Sequence, residues 1–291
     1  MNGILCVYKE KDYTSFDVVA VMRKICGTKK IGHGGTLDPM ATGVLPIFIG
    51  KATKAIDLMP DNTKGYRAGF RLGLVSDTQD ITGKIISQNA VSIKNSDFDT
   101  ALQEFKGRIS QIPPMYSAVK VNGKRLYDLA RKGIEVERKP RQITVFSIEV
   151  DSFDGIKGYL NISCSKGTYV RTIIHDLGQK LGCGAVMTEL ERTQSNGLNL
   201  DKANTLDFYK QLSSNELREM LIPIDSVFQG FPKVILDEKQ CRMFKNGVRL
   251  DLNRLNQDFD DTYYSVYHED EFLGIASPDF TESSLVIIKM F

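Results

Sequence analysis

Residues 65–72 read GYRAGFRL, placing Tyr66, Ala68, Phe70 and Leu72 on one face and Arg67 and Arg71 on the other. A period of two is the mark of a strand with one face in a core, because successive Cβ atoms point to opposite sides. Turn residues follow at once in SDTQDITGK, 76–84. Upstream, Thr14-Ser15 before FDVVAVMRKIC predicts a capped helix whose inward stripe is Phe16, Val19, Met22 and Cys26. Downstream, 96–107 predicts a helix with Phe98, Leu102 and Phe105 inward and Gly107 as its stop. Strands are predicted at 142–150 and 158–164, and a helix at 171–181 that ends at Gly182. Helices and strands intermingle without a βαβ repeat, so the fold class is α+β with a central mixed, largely antiparallel sheet flanked by helices. After the Gly-Pro break in QGFPK, 229–233, the runs TYYSVY, EFLGIAS and SLVIIKM predict a small β-rich module.

The 291 residues suffice for a large core plus a small one, and 42% hydrophobic with 25% charged residues is a globular composition. No apolar run reaches the roughly 18 residues of a membrane span, and MNGILCVYKEKD lacks a signal segment's continuing apolar stretch; the expectation is no membrane and a cytoplasmic location. Five cysteines form no CxxC pair and three histidines no HExxH, which argues against a disulfide framework and against a metal site. Residues 232–291 hold 7 Lys+Arg and 11 Asp+Glu, a charge of −4, which leaves +6 on residues 1–231. A basic body suits a polyanionic partner.

Three constellations carry chemistry. In GHGGTLDPMATGVL, 32–45, four glycines surround Asp38, and Pro39 keeps that aspartate out of a helix. The pattern fits neither GxxxxGK[ST] nor a GxGxxG between strand and helix, so phosphate binding is disfavoured. A purely structural turn and a displayed carboxylate both stay open. Between Ser117 and Gln142, eight Lys or Arg stand against three acids, with Tyr127 among them and Tyr116 just ahead. Cations for phosphates and rings for bases suit RNA, although a solvated face reads the same way. In SKGTYVRTIIHDLGQKLG, 165–182, Tyr169 and Arg171 lie two apart and would share a strand face; an arginine beside a working carboxylate would hold it ionised and oriented through a bidentate pair. His175 reads as a packing residue, and Asp77 and Asp80 in SDTQD fit a solvated turn as well as a site.

The segments GHGGTLDPMATGVLP (32–46), KGYRAGFRLGLVSDTQDITG (64–83), QIPPMYSAVKVNGKRLYDLARKGIEVE (111–137) and CSKGTYVRTIIHDLGQKLGCGA (164–185) together resemble the bacterial tRNA pseudouridine synthase B family, in the family's order. One departure is KEKDYTS (Lys9 to Ser15), which lacks the Pro and Gly of the usual KPxGxTS. The resemblance implies a pseudouridine synthase catalytic domain at 1–230 and a PUA-like RNA-binding module at 231–291. It implies isomerisation of the T-loop uridine at tRNA position 55 to pseudouridine, without cofactor or metal, by one copy of the chain acting on the tRNA T arm. By correspondence Asp38 is the catalytic carboxylate and Arg171 its partner. Tyr66 stacks on the uracil, and Tyr169 and Leu190 wall the pocket. Gly34 and Gly35 keep the rim open, and His33 fills the space the everted base leaves. Two rivals stand below this: an RNA-binding module without turnover, which gives no reason for an anion against RNA, and a carboxylate glycosidase, which needs a second acid.

Overall fold

The computed structural model describes residues 1–121 and 123–291; Asn122, within the basic segment, lies outside the described residues. A nine-stranded sheet is built from β1 (Gly3–Lys9), β2 (Ile31–His33), β3 (Thr42–Ile49), β4 (Lys64–Leu72), β5 (Gly107–Gln111), β6 (Arg141–Phe153), β7 (Lys157–Cys164), β8 (Ala185–Ser195) and β9 (Leu198–Asn199). Its order is β1-β3-β8-β4-β7-β6-β5, with β2 on β3 and β9 on β8. Every pair is antiparallel except β3 with β8, which run parallel through only two register pairs, Glu191↔Thr42 and Arg192↔Gly43. The chain is thus α+β, with a mixed and largely antiparallel sheet.

The predicted alternation in β4 holds: Ala68, Phe70 and Leu72 are buried, Tyr66 is partly so, and all four belong to one core. Helices α2 (Asn95–Gln103) and α3 (Val170–Lys180) cover that face, and Phe98 stacks at 5.4 Å on Phe70 and at 4.2 Å on Phe153. Strands β1 and β3 are apolar without alternation because both faces are covered. Leu5, Val7, Leu45, Ile47 and Ile49 meet helix α1 (Ser15–Ile25), while Ile4, Cys6, Val44 and Phe48 meet Phe228 and Ile275 on the other side.

Helix α1 is capped as predicted: the Thr14 hydroxyl accepts from Asp17 N and the Asp17 carboxylate accepts from Thr14 N. Its inward stripe, however, is Ser15, Val18, Val19 and Met22, and Phe16 is 64% exposed. The rotation has a polar cause. The Ser15 hydroxyl turns inward to accept from Leu37 N at 2.8 Å, one residue before Asp38, and Phe16 is carried outward. Gly107 likewise does not stop α2, which ends at Gln103; with φ +95° it opens β5.

At the parallel junction Gly43 has φ +101°, and a Cβ there would sit 2.3 Å from the Arg192 carbonyl oxygen. Only glycine permits this approach. Asp12 adopts φ 68° and donates its N–H to Pro39 O at 2.9 Å. It stands where KPxGxTS has glycine, and aspartate is among the few other residues that tolerate this conformation.

Beyond residue 232 a five-stranded sheet runs in the order Lys233–Ile235, Tyr264–His268, Glu271–Asp279, Ser284–Met290, Leu250–Asp251, with helix Glu238–Lys245 packed on it. Phe228 meets Phe231, Phe272 and Phe291 at 5.7–5.9 Å, and Ile275 enters the core behind β1 and β3. This acidic sheet is bonded to the body through apolar contacts. Among the described residues no helix is long and apolar enough to cross a membrane.

Candidate active site

The loop 34–41 leads from β2 into β3 beside the parallel junction, so Asp38 stands where strands carrying different parts of the sequence converge. Its side chain is about one-third exposed, so the carboxylate stays open to solvent. Arg171, in the first turn of α3 and only 5% exposed, reaches it: Nη2 lies 3.1 Å from Asp38 Oδ2 and 3.4 Å from Oδ1, and donates to Tyr116 O at 2.6 Å. Nη1 turns to Asp80 Oδ2 at 3.4 Å. The guanidinium therefore bridges two carboxylates and does not make the expected two-nitrogen fork on Asp38. A cation in the first turn opposes the helix dipole, and the two anions offset that cost.

The expected strand around Tyr169 and Arg171 is not formed. Tyr169 is the N-cap residue of α3 and Arg171 is helical, so their shared direction comes from the helix start; the Arg171 guanidinium carbon lies 5.9 Å from the Tyr169 ring centroid. Buried Gln111, at the end of β5, grips Tyr169 from both sides, accepting from its N–H at 2.8 Å and donating to its C=O at 3.0 Å.

Tyr66 on β4 pairs in register with Arg192 on β8, and Leu190, two residues before Arg192, packs in one core with Leu37 and Ala41, which flank Asp38. His33 ends β2 partly buried; its Nδ1 accepts from Gly35 N at 3.3 Å, which assigns the proton of the neutral ring to Nε2. Gly34 is buried with a Cβ position 3.0 Å from Phe48, so it serves packing and does not line an open rim; Gly35, with φ +135°, faces Arg192 and Lys64.

Asp80, whose role the sequence left open, and three cations that sequence reading did not single out complete the site. Asp80 is 3% exposed: its Oδ1 accepts from the Thr78 and Thr82 hydroxyls and from Thr82 N, leaving Oδ2 to Arg171. The solvated-turn reading of Asp80 is therefore set aside. Lys9, Lys64 and Arg192 are all buried, and each donates to one or more backbone carbonyls of the Asp38 loop or its flank. Lys64 Nζ donates to Gly34 O at 3.2 Å; Arg192 donates to Gly35 O, Thr36 O and Val44 O at 3.1, 3.4 and 2.7 Å; Lys9 donates to Pro39 O and Ala41 O at 3.2 and 2.5 Å. A buried cation is costly unless its donors are matched, and the loop's carbonyls supply the match for Arg192, most of it for Lys9 and one bond of it for Lys64. One signal was available: Arg192 follows Leu190 by two in a strand, a cation on the core face.

Burial raises the Asp38 pKa above its ordinary value; Arg171 counteracts this, Asp80 adds to it and Lys9 counteracts it. Burial also raises Tyr66, against the nearby Arg192 charge, which keeps its phenol protonated at neutral pH. Burial lowers His33, and Arg192 reinforces the shift. The site thus presents one accessible carboxylate, a neutral phenol and a neutral imidazole in a shell of buried cations. Such a set suits nucleophilic or general-base work on a neutral ring.

The basic segment lies outside this shell. Lys120–Val121 and Lys124–Arg125 form a hairpin before helix Leu126–Ala130, and Lys120, Lys124, Arg125, Arg131 and Lys132 line an open recess of about 650 Å³. Tyr116 O on Arg171 ties the start of this segment to the site.

Comparison with known proteins gives the family. The model of the TruB family pseudouridylate synthase (N terminal domain) matches residues 23–170, and that of the tRNA pseudouridylate synthase B C-terminal domain matches 171–229. The chain is 42% identical to tRNA pseudouridine synthase B of Clostridium tetani, over 100% of this chain and 99% of that one, and 43% identical to the protein of that name from Clostridium acetobutylicum, with the same coverage. Among solved structures it resembles a chain in the crystal structure of a Cbf5-Nop10-Gar1 complex, with TM-score 0.76, 25% identity and coverage of 99% of this chain and 84% of that one. A chain of the archaeal box H/ACA sRNP Nop10-Cbf5 complex shares the fold at TM-score 0.73 and 22% identity, covering 99% of this chain and 85% of that one. With full-length identity above 40% and a site assembled from the segments that carried the resemblance, the chain belongs to the TruB family of tRNA pseudouridine synthases.

Proposed function

We propose that this enzyme isomerises the uridine at position 55 of the tRNA T loop to pseudouridine, with Asp38 as its catalytic carboxylate. The observation that carries the reading is the solvent-accessible Asp38, held by the buried Arg171 and backed by a loop whose carbonyls are bound by Lys9, Lys64 and Arg192. In the reaction the N1–C1′ bond breaks, the uracil turns, C5–C1′ forms, C5 loses its proton and N1 gains one. Asp38 can serve as nucleophile at C1′ or at the ring, or as the base of an elimination; each route needs this one carboxylate ionised.

The target base leaves its stack at a cost of a few kcal/mol and enters the site. His33 fills the vacated space, Tyr66 stacks on the uracil with its phenol near the ring protons, and Tyr169 and Leu190 form the walls. The cations of 117–142 grip the T-arm phosphates, which makes binding weaken with salt. We assign residues 1–230 to catalysis and 231–291 to a PUA-like RNA-binding module, with one chain acting per tRNA in the cytoplasm and no cofactor or metal. The glycosidase alternative needs a free second acid, and Asp80 is buried with its oxygens already bonded.

The deciding experiment incubates the protein with an unmodified tRNA transcript and maps pseudouridine by carbodiimide modification and primer extension. A single new stop at position 55 is expected. Modification elsewhere would overturn the target, and tight binding without any product would favour an RNA-binding module.

A further inference from the structure

Lys64 opens β4 with 6% exposure, and its three ammonium donors are all placed: Gly34 O at 3.2 Å, the Ser195 hydroxyl at 2.9 Å and the Asn196 amide oxygen. Every acceptor is neutral, so no carboxylate touches this buried charge. The three bonds join segments far apart in sequence. Gly34 separates His33 from Gly35 on the loop, while Ser195 and Asn196 form the turn from β8 to β9. Asn196 is itself fixed, with φ 56°, its amide donating to Asp61 O at 3.0 Å and its oxygen accepting from Ser195.

We propose that Lys64 is a positioning residue for the reaction, whose protonated amine staples the His33–Gly35 segment to the β8–β9 turn and so fixes the side chain that occupies the everted base's place. This rests on the reading of Asp38 and His33 given above. Arg192 and Lys9 hold the rest of the loop; the His33 end is paired with β3 through its backbone, Gly34 N donating to Pro46 O at 2.9 Å, and Lys64 is the side chain that ties it to the β8–β9 turn. A neutral amine has two N–H donors and one lone pair, and the tripod of acceptors then loses one bond.

The charge is poised to be lost. Burial lowers the Lys64 pKa to about 7; Arg192 on β8 lowers it further, Asp61 before β4 raises it, Lys166 after β7 lowers it and Cys164 at the end of β7 raises it. The neighbouring His33 is already held neutral by burial and Arg192. A group that must stay protonated in the free enzyme appears as an alkaline limb in kcat/KM, and bound RNA, being anionic, raises its pKa and removes the limb from kcat.

The test measures single-turnover pseudouridine formation on an unmodified tRNA transcript from pH 6 to 9 for wild type, Lys64→Met and Asn196→Asp. Wild type is expected to lose kcat/KM above neutrality while kcat at saturation holds. Lys64→Met keeps the apolar stem but removes the donors; it should lower kcat/KM roughly 10- to 100-fold, as a displaced site group does, with the alkaline limb gone and tRNA affinity retained. Asn196→Asp sets a carboxylate in direct contact with Lys64 and should move the limb upward by about one pH unit or more, which separates Lys64 from Lys9, whose pKa is lowered to about 8. Should Lys64→Met fail to fold, Asn196→Asp alone decides. An active wild type whose limb stays in place in Asn196→Asp, or a folded Lys64→Met with unchanged kcat/KM, overturns the role of Lys64 and leaves the proposed function standing. A wild type that makes no pseudouridine overturns both.

Discussion

Replacing Arg171 by lysine tests the bridge at the centre of the site. The guanidinium makes four contacts at once: two to Asp38 at 3.1 and 3.4 Å, one to Asp80 at 3.4 Å and one to Tyr116 O at 2.6 Å. A lysine ammonium is a single point charge and cannot span two carboxylates that the planar group holds apart. It can keep one partner, and the other is left with a bond unmade. A hydrogen bond to a charged group is worth about 1.5–3 kcal/mol, so losing the contact that orients Asp38 predicts a fall in kcat of about 10- to 150-fold. If the lysine chooses Asp38 instead, Asp80 is stranded at 4% side-chain exposure and the loss appears as stability, on the order of 1–3 kcal/mol. The assay is release of tritium from 5-³H-uridine in tRNA under single-turnover conditions, beside a filter-binding measurement and a urea melt. tRNA binding should hold because Arg171 faces carboxylates and a carbonyl. Wild-type kcat together with a wild-type melt would refute the bridge.

Asp38→Asn should bind tRNA and make no product. Because burial raises its folded pKa, ionised Asp38 opposes folding progressively as pH rises from the unfolded pKa through the folded one, and fully above both; the variant's melting temperature at pH 7 should therefore not fall, and a clear drop would contradict the direction of that shift. The same shift places the acid limb of wild-type kcat/KM above an ordinary aspartate's, which a pH-rate profile measures. Tyr66→Phe keeps the ring and should hold tRNA affinity while lowering the rate about 100-fold or more if the hydroxyl moves a proton; an unchanged rate confines Tyr66 to stacking. Gly43→Ala forces a Cβ to 2.3 Å from Arg192 O at φ +101°, so it should cost at least ~3 kcal/mol in a urea melt, and a shift under 1 kcal/mol would show that β3 and β8 separate freely.

Periodic and local features were legible from sequence because they depend on neighbours in the chain: the alternation of β4, the N-terminal cap of α1, the Phe98 and Leu102 stripe of α2, and the glycine-rich loop around Asp38. Ordered motifs fixed the family for the same reason. Where a local rule met a distant partner, the distant partner prevailed. Phe16 lies outside because Ser15 is drawn to Leu37, and the Tyr169 segment starts a helix, with Gln111 holding its backbone.

The chain's composition and motifs thus determined an α+β enzyme of this family, and they marked out the loop that carries Asp38. Only tertiary structure decided which charges are buried around that acid. Lys9, Lys64 and Arg192 look in sequence like ordinary surface ions and Asp80 like a turn residue; the three cations become structural parts of the site when backbone from 30 or more residues away meets them, and Asp80 when the side chain of Arg171 does. The physical reason is that burying a charge is tolerable only where several donors or acceptors converge on it, and that convergence is a property of the folded chain.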